Sequence, residues 1–187
     1  MTTADRRQAL LALLVAYSPH DAAERGYLAR MQDLATALTD PFARDAFAPG
    51  HFTASAFVVH PSQSRLLMVH HAKLGRWLQP GGHIDPGDTG PGAAAGREVA
   101  EETGITALEA GGGGLLDVDV HLFPARPGGD PRHEHFDLRF LFRARDTVAA
   151  PGEEVRDVGW VSLAGLDGMG VDRSVLRPAA KALGDLS

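Results

Sequence analysis

A change of hydrophobic period near Pro49-Gly50 limits the folds open to this chain more than any other feature. Before it, apolar residues recur at helical spacing. Residues 4–17 place Leu10, Leu11, Leu13, Leu14 and Tyr17 on one side of a helix. Ser18-Pro19-His20-Asp21 has the form of a second start: a serine cap, a proline in the first turn and an acid three residues on. Tyr27, Leu28, Met31, Leu34 and Leu38 continue that second helix, and Asp40-Pro41 predicts a short third helical turn. After Pro49-Gly50 the period drops toward two. Phe52–His60, Arg65–His70, Leu115–Phe123, His133–Arg145 and Val155–Val161 read as strands, with Trp77-Leu78-Gln79 a short extended piece. Two helices interrupt them, Gly92–Thr103 with Gly104 as its stop, and Val171–Leu183. The run Gly111–Gly114 reads as a flexible turn, and residues 124–131 as a Pro/Gly-rich loop. This order predicts an α/β (α+β) chain with a mixed sheet between helices. It divides into an N-terminal helical extension over 1–48 and a sheet-containing domain over 49–187. The extension reads as a cover for a sheet face or as the interface of a homodimer.

Composition narrows the function. The chain has 187 residues, 44% of them apolar, enough for one cored domain. A net charge of −6 argues against nucleic-acid or anionic-membrane binding. It leaves a phosphorylated substrate open, because bound cations supply local positive charge. The absence of cysteine removes disulfides and thiolate catalysis and agrees with a cytoplasmic protein. Arg6-Arg7 before ALLALLVA resembles a signal peptide, but Asp5 lies in the would-be basic region and no A-x-A site follows.

The chemistry concentrates in residues 81–105, GGHIDPGDTGPGAAAGREVAEETGI. Glu98, Glu101 and Glu102 fall at i, i+3 and i+4, so they share a helix face. Like charges at this spacing destabilise a helix. Hard divalent cations with oxygen ligands offset that repulsion. Taken alone, the pattern also fits a solvated acidic face. The Gly81-Gly82 loop allows close backbone approach, and a carbonyl there would complete a metal shell. Arg97, four residues before Glu101, is placed to orient a carboxylate.

The same segment resembles the Nudix box, G-x5-E-x7-R-E-U-x-E-E-x-G-U, at Gly82, Arg97, Glu98, Val99, Glu101, Glu102, Gly104 and Ile105. The likeness extends over 51–160, including Trp77-Leu78-Gln79-Pro80 and Gly159-Trp160-Val161, and leaves out the first 48 residues. Two positions depart from the motif. Asp88 stands for the first glutamate, and eight residues, Thr89 to Gly96, separate it from Arg97.

The resemblance implies a Nudix-type α/β/α sandwich. It implies hydrolysis of a nucleoside diphosphate linked to another moiety, with Mg²⁺ as cofactor and Mn²⁺ as substitute. The implied ligands are Gly82, Glu98, Glu101 and Glu102. Glu98 is also a candidate base, with Arg97 and Glu101 in the catalytic group. A carboxylate from a later loop, Glu153 or Glu154, can take the base or extra-ligand role, and Glu154 is the choice carried forward. The alternative is a non-catalytic nucleotide- or diphosphate-binding regulatory module on the same fold. Isomerisation of prenyl diphosphates, known on this fold, lacks the cysteine it would need.

His133, His135, Asp137 and Arg139 alternate along one strand and share a face, while Phe136, Leu138, Phe140 and Phe142 share the other as core. The polar face has three readings: a substrate pocket with Arg139 on a phosphate, a solvated strand, or an H-x-H-x-D transition-metal site. His83, His135, Asp137 and Arg139 are the substrate-binding candidates, with His83 placed beside a phosphate by Gly82. His70 and His71 face opposite ways and cannot serve one site. Trp77 and Trp160 read as core.

Overall fold

A computed structural model describes residues 2–125 and 128–184. Two helices lead, α1 (Thr3–Ala16) and α2 (Ala22–Ala37). Then come β1 (Gly50–Val59), β2 (Leu66–His71), β3 (Arg76–Leu78), β4 (Gly81–His83) and α3 (Pro91–Thr103). The chain continues with β5 (Leu108–Phe123), β6 (His133–Ala144), β7 (Val155–Val161), α4 (Leu163–Gly168) and α5 (Arg173–Gly184).

The strands form one mixed sheet in the order β3-β2-β1-β6-β5, with β4 on β1 and β7 on β2. The β1–β6 pairing is parallel and the others are antiparallel. All ten residues of β1 are buried, as expected of a central strand covered on both faces. Its alternate residues Phe52, Ala54, Ala56 and Val58 pack with Ala94, Ala95 and Val99 of α3 and with Leu10, Leu14, Met31 and Leu34 of α1 and α2. Phe57 and Val59 face the other way, onto Leu166, Val175, Ala179 and Ala182 of α4 and α5. Helices therefore cover both faces, and the N-terminal pair shares one core with the sheet. Trp160 packs on the first cluster and Trp77 on the second, as their apolar bodies suggested.

Local chemistry sets the helix ends, and some differ from expectation. The capping box lies at Thr2 and Asp5 of α1, not at Ser18. Helix α2 is capped by Asp21, whose carboxylate accepts the Glu24 N–H, so residues 18–20 are a linker. The third helical turn predicted at Pro41 is a set of turns in which Asp40 Oδ1 accepts the Phe42 N–H. Gly111–Gly114 is not a loop between elements. Strand β5 runs through it, with a register shift between Ala110 and Leu115, and Gly112 and Gly113 take positive φ. Pro80-Gly81-Gly82 contributes a short strand, β4, that periodicity did not predict. Helix α3 begins one residue early, with Pro91 in its first turn, and ends at Gly104 in the left-handed region. Ser162 caps α4, which also was not foreseen. Among the described residues no helix is long and apolar enough to cross a membrane.

Candidate active site

Helix α3 presents its carboxylates to β4. Glu102 Oε2 accepts the Gly81 N–H at 3.1 Å. Glu98 lies directly against Gly82, where an added Cβ would sit 2.5 Å from Glu98 Oε1. A larger residue at 82 would therefore push the Glu98 carboxyl out of this position. Both side chains are partly enclosed, and burial raises both carboxyl pKa values. Glu102 is pushed up to about 8, first by burial, then by the charges of Glu98, Glu154 and Glu101 against the single opposing Gly81 N–H. Glu98 is raised by burial, opposed by Arg97.

Arg97 is the hub of the segment. It donates to both Asp88 oxygens at 3.0 and 3.1 Å, to Glu98 Oε1 at 3.0 Å, to Glu101 Oε2 at 2.9 Å and to the His83 carbonyl at 2.9 Å. This settles where Asp88 goes. Despite its shorter side chain and the extra residue before Arg97, it grips the guanidinium in bidentate fashion. It also accepts the Asp85 N–H at 2.8 Å, which closes the entry turn of the loop. Arg6 of α1 donates to the Asp85 carbonyl at 2.9 Å, so the leading helix also touches this loop.

Glu154 approaches from the loop before β7. That loop is tied to the end of α3 by Gly152 N–H to the Glu102 carbonyl at 2.9 Å, and a Cβ at Gly152 would sit 2.0 Å from the Glu101 carbonyl. Glu154 pairs with Lys73, and its charge reaches Glu102. Glu98 and Glu102 thus lie against the glycines of β4, Glu101 stands beside them on Arg97, and Glu154 is near enough for its charge to act on Glu102. Oxygen donors of this kind, partly desolvated in Glu98 and Glu102, are the type a hard divalent cation takes.

The substrate-binding candidates separate into two groups. His83 and His135 stand near one another, ring centroids 5.6 Å apart, and His83 is tied to the α3 segment by its carbonyl, which accepts from Arg97. Burial is the first cause that lowers both, His83 to about 4 with Arg44 adding, and His135 to about 2 with His121 adding, so both rings are neutral at pH 7. Asp137 and Arg139 go elsewhere. Arg139 is 1% exposed and paired with Asp137, Asp117 and Asp119. It also donates to the Ser174 carbonyl at 2.6 Å. Asp137 accepts from Thr53 and Ser55 as well. Both residues belong to a covered ion network and have no open face toward a phosphate. Strand alternation showed that they share a face but not that α5 closes over it. Sequence reasoning also passed over His51 and His121, whose rings join His135 from the neighbouring strands. Their only signal lay in the pairing register, which a single strand does not carry. Two cavities lie away from the carboxylates, one of about 340 Å³ between α1 and the Gly111–Gly114 bulge and one of about 270 Å³ beside Trp77.

The helix carboxylates, the arginine beside them and the glycine strand against them all lie within the stretch that a family model matches. The chain belongs to the Nudix family: the model described as NUDIX domain matches residues 50–179. It is a Nudix pyrophosphohydrolase of the MutT-like kind. It is 40% identical over 112 residues, 59% of this chain and 67% of the relative, to a protein of Bacillus subtilis named putative 8-oxo-dGTP diphosphatase. It is 40% identical over 65 residues to an 8-oxo-(d)GTP phosphatase of Mycolicibacterium smegmatis, a match over 35% of this chain and 18% of that protein. Among solved structures, a NUDIX-family hydrolase of Clostridium perfringens superposes with a TM-score of 0.58 at 25% identity, over 73% of this chain and 98% of that one.

Proposed function

We propose that this protein is a Mg²⁺-dependent enzyme that hydrolyses the pyrophosphate bond of a nucleoside diphosphate linked to another moiety. Mn²⁺ would substitute for Mg²⁺. An oxidised purine nucleoside triphosphate is the first substrate class to test, since both relatives are named for 8-oxo-dGTP or 8-oxo-(d)GTP. The observation that carries this reading is the placing of Glu98 and Glu102 against Gly81-Gly82, with Glu102 already raised to about 8 by burial near other acids.

Glu98, Glu101, Glu102 and the Gly82 carbonyl would hold the cations. When bound, Mg²⁺ neutralises the diphosphate and stabilises charge on the leaving oxygen. The chain's own residues do the rest. Arg97, clamped by Asp88, fixes the Glu98 and Glu101 rotamers so that their oxygens stay aimed. Glu98 is the leading acceptor for the proton of the attacking water, and Glu154 is the second. His83, neutral at pH 7 and next to Gly82, lines the adjacent wall without repelling the cations.

Incubation with 8-oxo-dGTP, dGTP, ADP-ribose and a dinucleoside polyphosphate, each with Mg²⁺ or Mn²⁺, tests the proposal. Metal-dependent release of a nucleoside monophosphate from at least one of them is expected. Turnover that persists after chelation would overturn it, as would a panel with no turnover.

A further inference from the structure

The register of three strands lines up imidazoles on one face of the sheet. His51 on β1 pairs with His135 on β6, and His135 pairs with His121 on β5. Adjacent strands lie about 4.8 Å apart, so their rings are forced into contact. The His51–His135 and His121–His135 centroids are 5.1 and 5.5 Å apart. His133, two residues along β6 from His135, shares its face and stacks on His51 at 5.1 Å. A ring nitrogen from each of His51, His133 and His135 lies within 4.8 Å of the other two.

Hydrogen bonding fixes which nitrogens carry lone pairs. His133 Nδ1 lies 2.7 Å from the Pro131 carbonyl, which only accepts, so Nδ1 bears the proton and Nε2 is a free base. His51 Nδ1 likewise donates to the Ala46 carbonyl at 3.3 Å. Its Nε2 is then a lone-pair nitrogen, and it is buried without a hydrogen-bond partner on a side chain that is 0% exposed. A fully buried polar atom in this condition is costly and calls for a ligand. His133 Nε2 and His135 Nε2 are 3.0 Å apart. Zn–N bonds of about 2.0–2.1 Å put neighbouring ligand nitrogens roughly 3.3 Å apart in a tetrahedron, close to that spacing. Carbonyls that hold the far nitrogen of a ligating imidazole are the usual outer support of such sites. Phe47 on His133 and Phe123 on His135, at 5.0 and 4.8 Å, close the cluster on its apolar side.

We propose that His51, His133 and His135 form a three-imidazole site for a transition-metal ion of the Zn²⁺ class, separate from the carboxylate site on α3. Imidazole nitrogens select Zn²⁺, Co²⁺ or Ni²⁺ over Mg²⁺, and the carboxylates of α3 have the opposite preference. His83 is excluded as a ligand through Nδ1, which accepts from Arg44 at 2.9 Å. His121 stands at the rim with Nδ1 held by Asp119 at 3.1 Å, and its Nε2 is the nearest candidate for a fourth position. Binding moves the one ring proton of neutral His135 from Nε2, where it bridges to His133, to Nδ1, which frees both Nε2 lone pairs for the ion. Asp137, the acid of the H-x-H-x-D pattern, does not take part, because Thr53, Ser55 and Arg139 hold it. The ion would join the start of β1, the start of β6 and the turn before it.

The test uses the full chain stripped of metal and dialysed against Zn²⁺ with millimolar Mg²⁺ present. One Zn²⁺ per chain should be retained by the wild type and by Glu98→Gln/Glu102→Gln. Affinity should fall about 100-fold in His133→Gln and in His135→Gln. Zn²⁺ should raise the melting midpoint of the wild type and leave that of the double histidine variant unmoved. Nitrogen-15 spectra of the wild-type imidazoles provide a measurement that needs no variant, and Zn²⁺ should shift Nε2 of three rings together. The proposal fails if folded wild type retains no Zn²⁺, if no imidazole signal shifts, or if the carboxylate variant loses the ion while the histidine variants keep it.

Discussion

Two groups of charges in this protein differ in how completely they are matched. Beneath α5, Asp117, Asp119, Asp137 and Glu24 meet Arg139, Arg177 and Lys181, with His121 against Asp119. Every one of those acids has a cation, and most have a second donor. On α3, by contrast, one guanidinium serves Asp85, Asp88, Glu98 and Glu101, and Glu102 has a single backbone N–H. The first group is buried deeper yet holds its charges; burial opposes ionisation of Glu24, but Lys181, Tyr17 and the His20 N–H hold it down to about 2. The second is less buried, yet Glu102 rises to about 8. Matching rather than depth decides whether an acid is structural or is left in need of a cation.

The comparison breaks most sharply at Arg139. Arg139→Met leaves Asp117, Asp119 and Asp137 short of their buried cation and should cost about 3–5 kcal/mol in urea unfolding. A cost below 1 kcal/mol would show that the network is not a unit.

At the α3 group the same logic predicts the opposite sign. Above pH 8, where the metal-free Glu102 carboxyl is ionised, Glu102→Gln removes a like charge from an undermatched cluster. It should lower kcat by at least about 100-fold, roughly 3 kcal/mol of transition-state stabilisation, while raising the melting midpoint of the metal-free protein by a few degrees. Loss of both activity and stability would place Glu102 in the structural class instead.

The smallest effect concerns acid. Glu24 has a folded pKa near 2 against an ordinary value of 4.5. Its contribution is fully present above pH 4.5 and is lost as pH falls through 4.5 toward 2. The wild type should lose about 2 kcal/mol over that window through this group, and Glu24→Gln should flatten the limb in an otherwise identical pH titration of unfolding.

Much of the carboxylate site was legible because helix spacing is local. Arg97, Glu98, Glu101 and Glu102 lie within two turns, and no partner strand is needed to know that they share a side. Asp88 was harder, since its target is set by the turn Pro86–Thr89 rather than by periodicity. Asp137 and Arg139 showed the limit more plainly. Alternation along β6 fixed their common face, but the contact with α5 lies 35 residues away, from Arg139 to Ser174. The Gly111–Gly114 run misled because positive φ at two glycines is compatible with a bulge inside a paired strand as well as with a turn. His51 became visible only through its parallel register with His135.

Tyr17 and Glu24 from the leading helices reach Lys181 in the last one, by an ion pair at 2.5 Å and a hydroxyl contact at 3.4 Å. The two ends of the sequence are thereby fastened to each other across the edge of β5. A single proteolytic nick between α2 and β1 should consequently yield two pieces that travel together through gel filtration and separate only in denaturant. Cleavage at that connection would cut the chain without dividing the molecule.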